Sequence, residues 1–386
     1  MRAWRIAGLI VLGWYLLLAV LHLFSLRPLW NDENAILYNM TILTPGEFFT
    51  RMFHRDQVFP RVYFWLIHCV SEPFQYSVLS LRSLPFVSML GGIIVWQGLA
   101  ARELKQGRLF FLFLLSWAAS VPLVYYAAEL KQYSMDLFVS ALFLLFIARQ
   151  NELLSRKGWR VNVLLAGMPF LGLLSYPAFL FLVFPLRTLI LDLRRKEGAG
   201  LSLFIYLLAC AAAVAVSFIF DMRLRPEGAV TGYHDYFISF ASPADFLRTF
   251  GEGVNNLVGR WFGSSPKWIR GFARFFLAMG VVEIVLGLWG RKTGKAVAGV
   301  WLHGVAAVVF LELVLLGAFH KYPFIVPRTV LFFCPILFLL TMKFFERIER
   351  RSASLAIVLQ SVYGGFLLFF VVRITLALAG GSFGNF

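Results

Sequence analysis

The feature that most restricts what this chain can become is a succession of apolar runs, most of them about as long as a helix needs to cross the hydrocarbon core of a bilayer, roughly 20 residues. They lie at Ile6–Leu26, Tyr76–Ala100, Leu109–Tyr126, Leu137–Ala148, Val161–Ser175, Ala178–Leu191, Leu201–Phe220, Ile269–Trp289, Ala296–Gly317, Phe324–Thr341 and Leu355–Leu378, eleven in all. A polar turn from Gln132 extends the fourth run. A water-soluble domain of 386 residues could not cover a chain that is 60% hydrophobic and holds 42 Phe, so the expected fold class is an all-α polytopic membrane protein. Val62–Val70 is apolar but too short to span, and it is expected to lie in the interface.

Charge tests this count, because every reassigned segment flips the side of each later loop, and basic residues concentrate in cytoplasmic loops. With the N-terminus inside, the inner loops from Arg2 to Arg351 hold 20 of the 36 basic residues and 6 of the 20 acidic ones, a net of 20 − 6 = +14. Everything else carries 16 − 14 = +2. Making Val62–Val70 a span would put the basic loop at Arg102–Arg108 outside. The overall charge of +16 is therefore topological, and a nucleic-acid partner loses its main support. The first run follows Arg2 and Arg5 and ends in Leu26-Arg27-Pro28 without a small-x-small cleavage site, which predicts an uncleaved signal anchor.

The outer side then holds a first loop at 27–75 with interfacial helices and a second long loop at 221–268. The expectation is one integral membrane domain over 1–386 with no separate soluble C-terminal domain. Cys69, Cys210 and Cys334 sit singly in apolar runs, which indicates neither a disulfide framework nor a thiolate metal site. The aromatics of the second loop, Tyr233, Tyr236, Trp261, Phe262 and Trp268, either stack on sugars or seat the loop in the interface, the second being the preferred reading.

Asp32 and Glu33 stand just past the first span. They read either as the acidic start of a helix over Ala35–Ile42 or as carboxylates of a site on the outer face. A second acidic stretch, Glu129-Leu130-Lys131-Gln132-Tyr133-Ser134-Met135-Asp136, falls on the same side. If it is helical from Glu129, then Glu129, Gln132, Tyr133 and Asp136 share one face. Ionisable residues at this depth face a cavity or a partner rather than lipid. His54, Arg55, Asp56 and Arg61 precede the interfacial helix, and His320, Lys321, Tyr322 and Arg328 cluster before a late span. A guanidinium held at the interface suits phosphate; snorkelling is the alternative role. Glu283, Glu312 and His303 lie within spans, able to pair with one another or with Arg82 or Arg373.

At these residues the chain resembles the GT-C type glycosyltransferases that use polyprenyl-phosphate sugars, close to family 39 and its protein O-mannosyltransferase and aminoarabinose-transferase-like branch. The marks are Asp32-Glu33, the run Asp56-Gln57-Val58-Phe59-Pro60-Arg61-Val62-Tyr63-Phe64, which looks like the family's His-Pro-Pro-Leu-Tyr-Tyr segment, and Leu81-Arg82-Ser83-Leu84-Pro85. Glu129-Leu130-Lys131-Gln132-Tyr133 resembles Glu-x-Arg-x-Tyr, and Val326-Pro327-Arg328-Thr329 resembles a Pro-Arg-Tyr. Phe59, Lys131 and Thr329 depart from those patterns. The resemblance implies transfer of a sugar from a polyprenyl-phosphate donor to a lipid, glycan or protein acceptor on the outer face of a bacterial cytoplasmic membrane, with inversion. It further implies Asp32 as general base and Lys131, Arg328, Arg55 and Arg61 as donors to the phosphate. Glu129 would orient Lys131, bind sugar or join Asp32 around a divalent cation, the one cofactor left open. Glu33, Asp56, Tyr133, Asp136, His54 and Tyr322 complete the substrate contacts. The competing classes are a transporter or flippase for an amphiphilic substrate, with Asp136, Glu283 and Glu312 as its path, and a non-catalytic envelope assembly subunit.

Overall fold

A computed structural model of the chain describes residues 2–155, 158–195, 200–226, 236–262, 267–292, 300–324, 326–381 and 383. Among them every regular element is a helix. In order these are α1 (Arg2–Phe24), α2 (Asn31–Ile42), α3 (Arg61–Ser71), α4 (Val78–Glu103), α5 (Gly107–Ala119), α6 (Val121–Tyr125), α7 (Tyr133–Ser155), α8 (Trp159–Gly167), α9 (Val183–Arg194), α10 (Gly200–Phe220), α11 (Pro243–Gly259), α12 (Lys267–Lys292), α13 (Val300–Ala318), α14 (Cys334–Glu349) and α15 (Ala353–Ala379).

Nine of the described helices are long and apolar enough to cross a membrane, and a bent pair makes a tenth. That pair is the expected run Leu109–Tyr126, which breaks by 65° between α5 and α6. Ser120 takes extended backbone there, and Pro122 in the first turn of α6 has no N–H to continue the ladder from α5. The eleventh expected run appears as the shorter apolar helix Trp159–Leu173, whose last turns tighten to 3₁₀ at Pro169. α3 has 11 residues, too few to span, as its length in the sequence predicts. The start of the Ala296–Gly317 run lies outside the described residues.

By contacts the chain divides into two compact units. The first comprises Met1–Arg27, Ile93–Ala128 and Asp235–Phe386. Here α1 and α15 pack on α5, and α12 packs on α14. Tyr15 donates to the Leu123 carbonyl at 3.0 Å, and Glu283 receives Arg347 at 2.6 and 2.7 Å and meets His303 at 3.0 Å. Glu283 and His303 therefore pair with each other, with Arg347 as the cation. Trp261 and Phe262 are fully buried, Phe262 among Phe338, Phe366 and Phe370. They are core residues rather than interfacial anchors, while Tyr233 and the side chain of Trp268 lie outside the described residues.

The second unit, Pro28–Gly92 and Glu129–His234, holds α2, α3, the first half of α4 and α7 to α10. Gly91 and Gly92 set the approach of α4 to α7. A Cβ on Gly92 would come within 2.4 Å of Leu137 Cδ2, and one on Gly91 within 2.8 Å of the Phe138 ring. Because interiors are packed too tightly to absorb added volume without strain, Gly92→Val should lower stability by about 1–3 kcal/mol. Thermal unfolding in detergent reads this, and an unchanged midpoint would show that the two helices have room to spare.

Candidate functional site

The second unit carries an open cavity of about 710 Å³, lined by Asn31, Asp32, Asn34, Ala35, Leu37, Tyr38, Thr41, Arg55 and Gln57. The phase of α2 selects these residues. Asn31, Asn34, Tyr38 and Thr41 recur at helical spacing on one face, whereas Glu33, Ile36 and Met40 recur on the buried one. Adjacent acids thus point to different environments. Asp32 borders the cavity with its side chain 25% exposed, and Glu33 is fully buried.

Lys131 stands behind the cavity wall. Its Nζ lies 3.6 Å from Asp32 Oδ2 and donates to Gln57 Oε1 at 2.9 Å. Arg55 enters from the first loop, its guanidinium 4.4 Å from the centre of the Tyr38 ring. Arg55 and Asp56 both adopt left-handed backbone, φ +58° and +50°, an arrangement that costs about 1–3 kcal/mol per residue and persists only when its surroundings impose it. Buried Asn39 supplies that restraint, accepting from the His54 N–H at 2.7 Å and donating to the His54 carbonyl at 3.1 Å.

A buried ion pair joins the two acidic stretches. Glu33 takes Arg82 Nε at 3.0 Å and Nη2 at 2.8 Å, and it also accepts from the backbone N–H of Leu130 at 2.8 Å and of Trp30 at 3.2 Å. Trp30 in turn donates its indole N–H to Glu129 Oε1 at 3.2 Å. The residues on either side of Leu130 are Glu129 and Lys131, so Glu33 holds the Lys131 segment beside Asp32. The cavity therefore combines a carboxylate, a lysine behind it, a stack of arginine on tyrosine, and amide and hydroxyl groups suited to sugar hydroxyls.

No family model matches the sequence, and no curated protein matches it. Among solved structures, the crystal structure of ArnT from Cupriavidus metallidurans bound to undecaprenyl phosphate superposes with a TM-score of 0.55, over 96% of this chain and 70% of that one, at 14% identity. The chain has the fold of ArnT. The GT-C type architecture implied by the motifs within residues 6–195 and 318–342 is thus borne out as a fold over 96% of the chain.

Within the ArnT fold the expected site residues separate. Asp32 and Arg55 line the cavity, Lys131 lies behind its wall against Asp32, and buried Glu129 accepts from the Trp30 indole. Glu33, expected to contact substrate, is fully buried and bonded to Arg82 and two backbone donors, away from the cavity lining. Arg61, expected to contact phosphate, is 4% exposed, lies outside this cavity's lining and donates to the carbonyls of Phe48, of Arg51 at 2.6 Å and of Leu224 at 3.5 Å. Burial lowers its guanidinium pKa, with Asp221 opposing the shift. The helical face from Glu129 does not form, because α7 starts only at Tyr133. Tyr133 and Asp136 are buried in its first turn, and His54 and Asp56 are exposed on the loop; none of the four lines the cavity. Tyr322 and Arg328 belong to the first unit, where Tyr322 donates to the Thr329 carbonyl at 2.6 Å.

The sequence does not mark Asn39, Gln57, Tyr38 or Arg82 for these roles. The polar stripe at 31, 34, 38 and 41 was a readable signal for the cavity face, whereas the pairing of Arg82 with Glu33 was not. No group of three or more His, Cys, Asp and Glu side chains able to hold a metal occurs among the described residues. Asp32 has a lysine for a neighbour and Glu129 an indole, which does not fit the six or so oxygens a hard divalent cation takes.

Proposed function

We propose that this chain is a membrane glycosyltransferase that moves a sugar from a polyprenyl-phosphate donor to an acceptor hydroxyl on the outer face of a bacterial cytoplasmic membrane, with inversion. The observation that carries this reading is Asp32, backed by Lys131 at 3.6 Å, at the edge of the cavity that Arg55 also lines. The fold shared with ArnT, a protein whose structure holds undecaprenyl phosphate, supports the donor class.

The chemistry follows from those three groups. Asp32 accepts the proton of the acceptor hydroxyl as its oxygen bonds to the anomeric carbon. The bond from that carbon to the phosphate oxygen breaks on the opposite face, and its electron pair leaves with the lipid phosphate. The departing phosphate is already anionic and needs cations more than an acid, which suits Arg55 in the cavity and Lys131 behind it. Lys131 also holds Asp32 in place until the acceptor arrives.

The test is purified protein supplied with polyprenyl-phosphate sugars, with release of polyprenyl phosphate as the readout. Arg55→Gln should raise the KM for donor about tenfold, the equivalent of ~1.4 kcal/mol, through loss of a charged hydrogen bond. No turnover of any such donor by folded wild-type protein would remove the reading. An unchanged KM in the variant would remove Arg55 from the phosphate contacts.

A further inference from the structure

Gln57 lines the cavity and bonds toward both of its cations. Its Oε1 accepts from Lys131 Nζ at 2.9 Å, and its Nε2 donates to the backbone carbonyl of Arg55 at 3.2 Å. The two ends of the amide cannot be exchanged, because an ammonium only donates and a carbonyl only accepts. An ionised glutamate could keep the first bond but not the second. Arg55 depends on such a tie. It stands with Asp56 in left-handed backbone, and among the described residues no backbone hydrogen bond closes 55–57. Asn39 fixes the residue before Arg55 and Tyr38 receives its guanidinium, while the carbonyl of Arg55 itself is held by Gln57. At the other end, the 2.9 Å bond to Gln57 is a full hydrogen bond and the 3.6 Å approach to Asp32 is not, so the amide does more than Asp32 to fix where the ammonium stands.

We propose that Gln57 is a positioning residue for sugar transfer, one that sets the Lys131 ammonium and the Arg55 guanidinium in register with each other for the donor phosphate. The inference rests on the sugar-transfer reading. Two cations stabilise a departing phosphate best when both are already aimed at the place where its charge develops, since groups held in advance need no reorganisation as the bond breaks. Lys131 and Arg55 come from separate segments, and a single side chain is bonded to both segments. The neutrality of that side chain is part of its role. A carboxylate at position 57 would hold Lys131 by charge, release the Arg55 carbonyl, and set a negative group in the cavity wall against the phosphate.

Full-length protein in detergent, assayed with polyprenyl-phosphate sugars and titrated with undecaprenyl phosphate, tests this. Gln57→Met keeps the length of the side chain and loses both bonds. It should raise the donor KM and the Kd for undecaprenyl phosphate about tenfold, with an unchanged thermal midpoint. Gln57→Glu should raise both further. Binding of undecaprenol, which lacks the phosphate, should stay as in wild type. Because Gln57 acts in part through Arg55, adding Gln57→Met to Arg55→Gln should raise the KM by less than about threefold more. Independent effects would multiply to about a hundredfold in that double variant and would overturn the assignment. A Gln57→Met protein with wild-type KM and Kd would also overturn it, as would equal weakening of the alcohol and the phosphate. Wild-type protein that neither turns over these donors nor binds undecaprenyl phosphate would instead remove the sugar-transfer reading, and this inference with it.

Discussion

Asp32→Asn is expected to silence sugar transfer by about 10²–10⁴-fold, the usual contribution of a positioned general base, while the protein stays folded and still holds its donor. The amide keeps the shape of the carboxylate, but it cannot take a proton from the acceptor. Stability should hardly change, because the Asp32–Lys131 contact is 3.6 Å long and Asp32 is 25% exposed, and partly solvated pairs of this kind contribute about 0–1 kcal/mol. Turnover and thermal unfolding measured on the same preparation separate the two effects. Wild-type-like turnover in the folded variant would take the role of base away from Asp32, and a large loss of stability would make the pair structural instead.

How far such a site can be read from sequence depends on whether a residue's role is local. Span positions follow from the length of apolar runs, so the helices match their expected places, and α3, at 11 residues, is too short to cross. The bend at Ser120 is less legible, since hydropathy is continuous across it and only Pro122 marks the break. In the site, Asp32 and Lys131 are visible as candidates, but their meeting depends on a hydrogen bond from Leu130 to Glu33, 97 residues away. The same bond explains why Glu129 is not helical. Its segment is held by its backbone before α7 begins at Tyr133, so a face drawn through 129, 132, 133 and 136 has no helix to lie on. Asp32 and Glu33 look equivalent in the sequence, and only the helical phase of α2 assigns one to the cavity and the other to the core. Arg61 misleads for a related reason. An arginine at an interface suits phosphate by its chemistry, yet here loop carbonyls take most of its donors.

Arg82→Met should be the most destabilising single change in the second unit, by about 3–5 kcal/mol, because it leaves the Glu33 carboxylate buried without its cation. Glu33→Gln should cost less in stability. It keeps the shape and one carbonyl oxygen, but sets an amide NH₂ where the carboxylate now accepts from Arg82, Leu130 or Trp30. The two roles of Glu33, as counter-ion in the core and as anchor of the Lys131 segment, come apart in the double variant Glu33→Leu/Arg82→Met. Replacing both members of a buried pair by apolar groups removes the unpaired charge, so stability should recover most of what Arg82→Met loses. Turnover should not recover, because leucine offers the Leu130 N–H no acceptor and the segment carrying Lys131 is no longer held beside Asp32. Thermal unfolding and turnover across the three variants decide the matter. Full activity in the double variant would mean that the cavity assembles without Glu33. An Arg82→Met protein that unfolds at the wild-type temperature would mean that the pair does not stabilise the unit at all.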